Sequence, residues 1–312
     1  MKEKNMTALV SCFARCYHYK NYKCRIFSDS YAEKILSKNE YDEISENMVK
    51  GISFFNKDFK DNETQALKWI VNNRLAPLLL ARSAFCEHHL LNSIKFGCKE
   101  YLIYASGYDT FAYRNKTNLK VFELDKDDMI DDKLSRLSDE DKRKANFIKC
   151  DFTTDNWINN ILESDYDKNA ISFNSLLGIS YYLTTDEFKD MIKNISSIIK
   201  DGSSIVFDYP TYDDSETSKC NESLAKESNN EMKSKYTYND IEKILSDNGL
   251  YIYEHLNHKE MTENYFKIFN HMNPDDKMYA PMGVNYCLAV KKTCYNSNTE
   301  ISEWIRKEKL LL

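Results

Sequence analysis

Two neighbouring segments, Tyr101–Arg114 and Val121–Asp125, constrain the fold of this chain more than any other stretch. The first opens with four residues typical of a buried strand, turns through Ala105, Ser106 and Gly107, and then predicts a helix start. Small residues at such a turn let the backbone approach a ligand closely. The second segment predicts another strand, which ends in an acid. This order indicates the front half of a nucleotide-binding βαβ unit.

The acid at the end of the second strand, Asp125, can accept hydrogen bonds from both hydroxyls of a ribose. It lies twenty residues after Ala105, the spacing expected of the ribose-binding acid in such a unit. The chain has only 7 glycines in 312 residues, whereas glycine is roughly 7% of an average protein. A glycine at position 107 is therefore a stronger sign of a ligand-binding turn here than in a glycine-rich chain.

The pattern from Lys99 onward alternates strands with helices, which predicts a mostly parallel sheet covered on both faces. The residues before it are expected to be helical, with two helices meeting near Pro77 because proline breaks or kinks a helix. The expected strands are 100–105, 119–124, 146–150, 169–176, 203–209, 250–256 and 284–291. The expected helices are 109–115, 127–137, 155–163, 185–200, 238–248 and 260–270.

We expect this pattern to form one domain over residues 1–312. Residues 211–235 carry turn and cap residues and follow a strand end, where ligands bind in such sheets. Both a flap over the site and a plain surface insertion fit that composition. The expected parts are a helical N-terminal cap at 1–97, a Rossmann-like core at 98–210 and 236–293, the insertion at 211–235 and a tail helix at 294–312.

Charge and hydropathy exclude several classes of partner. The net charge is −6 and the lysines are interleaved with acids, so no basic surface for nucleic acid is expected. No apolar run approaches the ~20 residues of a membrane span, and no apolar stretch of a secretory signal follows Met1. We therefore expect a cytoplasmic protein with neither a membrane nor a nucleic-acid partner.

The nine cysteines are scattered, and three of them, Cys12, Cys16 and Cys24, lie close to His18. A metal site is possible there, but the stretch contains no C-x-x-C pair and is expected to be helical. We expect reduced, mostly buried thiols and no metal.

Four expected strand ends could face one crevice: Ala105–Gly107, Asp125, Asp151–Phe152 and Leu177–Gly178. An acid after the third strand can accept the amino group of an adenine, while the aromatic residue beside it covers the ring. Asp109 stands where a helix N-terminus would bind pyrophosphate and would repel it. An adenosine ligand without phosphates, such as S-adenosylmethionine, therefore fits better than a nicotinamide dinucleotide, although a reductase remains an alternative.

These residues resemble the leucine carboxyl methyltransferase family, in its branch of bacterial polyketide-type O-methyltransferases. The family's glycine motif L-G-A-G-L-D-T-R-A-Y-R is similar to Tyr104–Arg114, and its F-E-V-D motif to Phe122–Asp125. Further similarities are Thr7-Ala8 with Arg15, Phe27 with Asp29 and Ala32, the arginine Arg82, the motif lysine Lys133, the third-strand acid Asp151, and Ser203 through Asp208-Tyr209.

The resemblance implies a class I methyltransferase fold, an α/β Rossmann-like architecture with a seven-stranded, mostly parallel sheet. It implies S-adenosylmethionine as cofactor. Arg82 is expected to reach the carboxylate of the ligand or substrate, and Tyr182 to help place the substrate carboxylate, so both are expected to be catalytic. The implied cofactor-binding residues are Arg15, Arg82, Ala105, Ser106, Gly107, Asp125, Asp151, Phe152 and Leu177.

The chain departs from the family pattern at three places. Ala105 replaces the first motif glycine, Leu177 replaces a glutamate near the aminoacyl part of the ligand, and Asp127 replaces a proline. These changes motivate an alternative, a methyltransferase-like protein that binds a ligand or partner without turnover.

The expected activity is S-adenosylmethionine-dependent O-methylation of a carboxylate on a small molecule or peptide. A carboxylate is already ionised at neutral pH and needs no general base. Catalytic roles are therefore not expected for the histidines His88, His89, His255, His258 and His271.

Overall fold

A seven-stranded sheet forms the centre of the protein, with strand order β3-β2-β1-β4-β5-β7-β6. The computed structural model describes residues 6–154, 157–213 and 232–292. Strands β1 to β5 pair in parallel, and β7 runs antiparallel between β5 and β6. The strands are β1 Glu100–Tyr104, β2 Lys120–Asp125, β3 Asn146–Lys149, β4 Ser172–Leu176, β5 Ser204–Pro210, β6 Leu250–Leu256 and β7 Val284–Lys291. The predicted mostly parallel, seven-stranded sheet is confirmed.

Helices precede the sheet along the chain. They are α1 Met6–Asn21, α2 Ala32–Ile35, α3 Lys38–Lys50, α4 Ile52–Phe55, α5 Glu63–Ile70 and α6 Ala76–Lys95. A π-helical turn, Val71–Leu75, joins α5 to α6. Pro77 stands in the first turn of α6, where a missing N–H costs no intrahelical bond. The predicted junction near Pro77 is therefore present as a π-helical turn followed by a new helix.

The helices between the strands are α7 Phe111–Arg114, α8 Asp127–Arg136, α9 Trp157–Leu162, α10 Thr185–Ile198, α11 Tyr238–Ser246, α12 His258–Met261 and α13 Lys267–Met272. Short 3₁₀ turns lie at Asp141–Lys144 and Ser180–Tyr182, and a π-helical turn at Thr262–Phe266. Within the described ranges, no helix is long and apolar enough to cross a membrane.

The apolar core lies on both faces of the sheet. Along β1, Tyr101 and Ile103 pack with the N-terminal helices, whereas Leu102 and Tyr104 pack with the helices of the opposite face. Successive side chains of a strand point to opposite faces, so one apolar strand supplies both layers. All five residues of β1 and of β4 are buried, as expected for central parallel strands.

Several predicted bounds differ from the structure for local reasons. The helix expected at 109–115 shortens to α7 because the Asp109 carboxylate accepts the N–H of Phe111 at 2.8 Å and fixes a turn. The strand expected from residue 169 begins at Ser172, because Ala170 closes a turn onto Asp167. Of the predicted insertion, 214–231 lies outside the described residues, as does the predicted tail helix.

Candidate cofactor site

A cavity of about 370 Å³ opens at the carboxyl ends of β1, β2 and β4, beneath α1. Parallel strands end at this edge, and ligands of open α/β sheets bind there. Eight of the ten residues predicted for the site line this cavity: Arg15, Arg82, Ala105, Ser106, Gly107, Asp125, Leu177 and Tyr182.

The turn after β1 forms the floor of the cavity in an unusual backbone conformation. Ala105 has a φ of 53° and Gly107 a φ of 47°, the left-handed region that L-residues with a Cβ rarely occupy. Ser106 between them is held by its N–H, which donates to the carbonyl of Leu124 at 3.0 Å. The turn therefore presents backbone and small side chains to the cavity.

The Ser106 hydroxyl is buried and unpartnered beside the cavity. It is buried, with 6% of the residue exposed, and its Oγ has no hydrogen-bond partner among the residues that the structure describes. A buried hydroxyl without a partner is costly. Because the residue lines the cavity, a polar ligand atom can supply the missing bond.

Asp125 lies at the end of β2, across the turn from Ser106. Its Oδ2 accepts the N–H of Gly107 at 2.7 Å, and its Oδ1 accepts the N–H of Lys126 at 2.8 Å. Burial raises the pKa of Asp125, and the two backbone N–H groups act against that rise. Each carboxylate oxygen has a second lone pair, so the group can still accept the two hydroxyls of a ribose.

The predicted adenine-binding pair lies beside the cavity. Asp151 and Phe152 are absent from the described residues that line it. Asp151 Oδ1 accepts the N–H and the hydroxyl of Thr153 at 2.9 and 2.7 Å, and these bonds lower the pKa of Asp151. Phe152 packs against Tyr104, whose ring centroid lies 5.9 Å away and which does line the cavity. A role of this pair in binding adenine stays a prediction.

Arg82 enters the cavity from α6, on the other side of β1 from Asp125. Its Nη2 donates to the hydroxyl of Ser11 at 3.2 Å, and 17% of its side chain is exposed. The guanidinium lies directly on the backbone of Gly178, where a Cβ atom would approach Nη1 to 2.3 Å. Gly178 has a φ of 69°, so both its conformation and the close approach of Arg82 require glycine.

Tyr182 and Leu177 complete this end of the cavity. Burial raises the pKa of Tyr182, while the nearby Arg82 lowers it. Because the net direction is upward, the phenol keeps its proton at neutral pH and can donate a hydrogen bond. Leu177 follows β4 and presents an aliphatic side chain where the family pattern has a carboxylate.

Arg15 lines the cavity, yet its guanidinium bonds to protein groups. Its Nε donates to Asp29 at 2.9 Å, Nη1 to the carbonyl of Ser11 at 3.2 Å and Nη2 to the carbonyl of Tyr108 at 2.6 Å. These bonds join α1 to the segment after β1. The predicted contact of Arg15 with the cofactor stays a prediction, and the structure gives the side chain a second role in holding α1 on the cavity.

The remaining motif residues form buried ion pairs around this site. Asp29 Oδ1 accepts the hydroxyl of Thr110 at 2.7 Å and lies 3.3 Å from Arg114 Nε. The motif lysine Lys133 pairs with Glu123 of β2, and both side chains are fully buried. The order of these residues along the chain matches the motifs of the family, but the motifs do not indicate which residue pairs with which.

The cysteine and histidine cluster of α1 is packed into the core. Cys12 Sγ donates to the carbonyl of Ala32 at 3.5 Å, and His18 Nε2 accepts the N–H of Ile26 at 3.0 Å. Burial raises the pKa of Cys12 to about 12. Over the described ranges, no group of three or more His, Cys, Asp and Glu residues is placed to hold a metal ion.

Comparisons with known proteins agree with this architecture. The profile of leucine carboxyl methyltransferase matches residues 8–196. YktD of Bacillus subtilis, named as an S-adenosyl-L-methionine-dependent methyltransferase, is 36% identical over 306 residues, which cover 93% of this chain and 99% of YktD. A Mycobacterium marinum protein named in the same way is 26% identical over 141 residues, 44% of this chain and 46% of that protein. The crystal structure of a DUF574 family protein from Streptomyces avermitilis shares the fold, with a TM-score of 0.57, 11% identity, and 92% and 97% of the two chains covered.

The sheet order and the cavity at its carboxyl edge define a class I methyltransferase that uses S-adenosylmethionine. Within that class, the chain belongs to the leucine carboxyl methyltransferase family, as its match over residues 8–196 and its identity to YktD show. The residues of the cavity fit the cofactor: the unpartnered Ser106 hydroxyl, the Asp125 carboxylate and the tightly turned backbone between them are suited to an adenosine.

Proposed function

We propose that the protein transfers the methyl group of S-adenosylmethionine to a carboxylate oxygen of a small molecule or peptide. The observation that supports this acceptor is the placement of Arg82 beside Tyr182 at one end of the cavity. A guanidinium presents paired N–H donors that match the two oxygens of a carboxylate. The phenol adds a third donor that stays protonated at neutral pH.

The reaction needs little from the protein beyond placement. The cofactor supplies an electrophilic sulfonium methyl; the O–CH₃ bond forms as the S–CH₃ bond breaks. A carboxylate acceptor is already ionised at neutral pH, which agrees with a cavity lined by no histidine among the described residues. Arg82 and Tyr182 orient the acceptor oxygen, and the helix α1 above the cavity limits the access of water. Such alignment accounts for a large part of the rate in reactions of this type.

The other residues of the cavity hold the cofactor in this proposal. Asp125 accepts the ribose hydroxyls, and the turn from Ala105 to Gly107 lets the backbone approach the ligand. Leu177 covers the cavity next to Arg82. Asp151 and Phe152, beside the cavity, contact the adenine in this proposal.

A second candidate function is ligand binding without turnover. It is favoured by Leu177, because the family pattern has a carboxylate near the charged end of the cofactor and an aliphatic side chain cannot replace it. Under this alternative the cofactor would bind, and no acceptor would be methylated.

The test is a methyl-transfer assay with S-adenosylmethionine labelled in the methyl group and a panel of carboxylic acids, amines, phenols and thiols. A methyl ester releases labelled methanol in mild base, whereas methyl amines and methyl ethers do not. We expect base-labile label on at least one carboxylic acid. Arg82→Lys should strongly lower the rate of methyl transfer, because lysine keeps the positive charge but lacks the paired N–H donors of the guanidinium. Arg143→Lys, at an exposed arginine, is the matched control and should keep the rate.

Base-stable label would refute a carboxylate acceptor and leave the methyltransferase class intact. Cofactor binding without transfer to any acceptor would favour the second candidate function.

A further inference from the structure

A second cavity, of about 460 Å³, lies between the C-terminal half of α6 and the sheet. It is lined by Phe173 of β4 and by Gly202 and Ser204, which stand where β5 begins. It therefore lies toward the opposite edge of the sheet from the cofactor cavity, which opens where the parallel strands end. Its volume falls in the range of roughly 300–1,000 Å³ that small organic ligands occupy.

The helix α6 passes both cavities. Arg82 lines the cofactor cavity, and His89, seven residues further along, lines the second one. At 1.5 Å per residue, the two positions are about 10 Å apart along the helix. The second cavity is thus a separate site on the same helix.

Apolar side chains form the floor and one wall of the second cavity. The floor is the sheet, with Phe173 of β4 and with Leu288 and Val290 of β7. Phe96, directly after α6, forms the wall, and 51% of this residue is exposed. A concave apolar surface with an exposed aromatic side chain is typical of sites for small molecules. The body of a ligand in this cavity is therefore apolar.

A β-bulge turns one acid toward this apolar floor. The pairing of β6 with β7 shifts between Ile252 and Glu254, which leaves Tyr253 as an extra residue. Glu254 consequently pairs with Leu288, whose side chain packs with the N-terminal helices. Without the bulge Glu254 would point to the other face, because side chains alternate along a strand. Bulges of this kind re-aim a side chain beside a functional site.

Glu254 and His89 place a carboxylate and an imidazole together in the cavity. His89 is 6% exposed, and its Nε2 lies 3.1 Å from Oε2 of Glu254. That contact is out of line for a hydrogen bond, and Nε2 has no hydrogen-bond partner among the described residues. The nearby His89 lowers the pKa of Glu254, and burial acts in the opposite direction. The carboxylate is therefore ionised at neutral pH.

The other titratable groups of this cavity do not neutralise Glu254. Burial lowers the pKa of His88, so its imidazole is uncharged at neutral pH. Lys95 is exposed, and its ammonium donates to Asn92 at 3.1 Å. The cavity thus offers a negative charge and an unpartnered ring nitrogen beside an apolar floor. An ammonium group complements both, because it carries a positive charge and several N–H donors.

We propose that this cavity is a second small-molecule site, which binds an organic amine with an apolar body. The ammonium group lies against Glu254 and donates to Nε2 of His89, and the body covers the floor of the sheet. This site goes beyond the proposed methyl transfer and does not depend on it.

The experiment titrates the full chain with three probes that share one body. They are 4-phenylbutylamine, 4-phenylbutan-1-ol and 4-phenylbutyrate, whose head groups are cationic, neutral and anionic at neutral pH. Ligand-detected NMR gives each Kd, with saturating S-adenosylhomocysteine present so that the cofactor cavity is filled. We expect the amine to bind roughly ten-fold tighter than the alcohol or better, the range of one charge-assisted hydrogen bond. The anion should bind most weakly.

Glu254→Gln removes the charge and keeps the shape of the side chain. It should reduce the preference for the amine over the alcohol to less than about two-fold. Glu43→Gln, at an exposed glutamate of α3, is the matched control and should keep the preference. Ser93→Phe fills the cavity from α6 and should weaken all three probes. Unchanged affinity for S-adenosylhomocysteine shows that each variant is folded.

Three results overturn the inference. The first is the absence of binding by any probe, which also covers occupation of the cavity by residues 293–312, since the full chain contains them. The second is tighter binding of the anion than of the amine. The third is an unchanged preference in Glu254→Gln together with a lower melting temperature, which would show that Glu254 and His89 only join β6 to α6. None of these results bears on the methyl-transfer assay.

Discussion

Replacing Ala105 with glycine tests whether the turn under the cofactor stores strain. A residue with a Cβ in the left-handed region costs about 1–2 kcal/mol, and Ala105 is held there with a φ of 53°. Glycine carries no such cost, but it gives the unfolded chain additional freedom worth about 0.5–1 kcal/mol. The difference predicts that Ala105→Gly raises the free energy of unfolding by roughly 0.5–1 kcal/mol.

The small size of this effect determines which unfolding assay can detect it. Unfolding entropy is about 2.1 cal/mol/K per residue, so for 312 residues a gain of this size raises the melting temperature by only about 1 °C. Urea titration at constant m-value resolves the change better, because it reports the free energy directly. The same titration on Ala84→Gly, inside α6, serves as the control, where the substitution should cost about 1 kcal/mol.

Changes of opposite sign in the free energy of unfolding for Ala105→Gly and Ala84→Gly would support backbone strain at Ala105. If Ala105→Gly destabilises the protein as much as Ala84→Gly does, the packing of the Ala105 methyl group outweighs the backbone cost and the reasoning is refuted. We also expect Ala105→Gly to bind S-adenosylhomocysteine several-fold more tightly, since the methyl group narrows the turn beside the ligand. Weaker binding would mean that the methyl group contacts the cofactor favourably.

Three further predictions concern the cavity and the core. Asp125→Ala should weaken S-adenosylhomocysteine by about 1–3 kcal/mol through the lost ribose bonds; unchanged affinity in calorimetry would remove Asp125 from the site. Leu177→Glu should tighten the cofactor by about 1.5–3 kcal/mol if a carboxylate can reach its ammonium or sulfonium, whereas weaker binding would show a cavity rebuilt around leucine. Burial lowers the pKa of His18 from 6.5 to about 3. Below pH 6.5 the unfolded chain therefore binds a proton at His18 that the native state does not bind. The free energy of unfolding should fall by about 1.4 kcal/mol per pH unit as the pH falls from 6.5 toward 3. Urea titrations of His18→Gln at several pH values should lack this contribution to the pH dependence.

The sheet could be predicted from the sequence because its signals are local. Strands such as Glu100–Tyr104 are short apolar runs bounded by turns, and the spacing from the turn to Asp125 fixes which strand ends meet. Eight predicted residues consequently line one cavity. The helix ends were less predictable, since a single side chain such as Asp109 can turn the backbone away from a helix.

The partners of the buried charges could not be predicted. Arg15 and Asp29 are close in sequence, whereas the four strands β1 to β4 lie between the ion-paired residues Arg82 and Asp208 along the chain. A pairing of two residues so far apart in sequence leaves no periodic pattern. A buried acid within the mostly apolar strand β5, Ser204–Pro210, is a usable sign of such a pair, because it must find a compensating group. Reading that sign would have raised Asp208 as a candidate, though not identified Arg82 as its partner.

The position of α1 above the cavity has a kinetic consequence. Ala8, Ser11 and Arg15 all line the cavity, and the bonds of Arg15 to Asp29 and Tyr108 anchor that helix to the rest of the protein. A ligand in the cavity lies beneath this anchored helix, so we expect its residence time to depend on how firmly α1 is held. Weakening the Arg15–Asp29 ion pair should shorten that residence time, which stopped-flow measurement of cofactor dissociation can check.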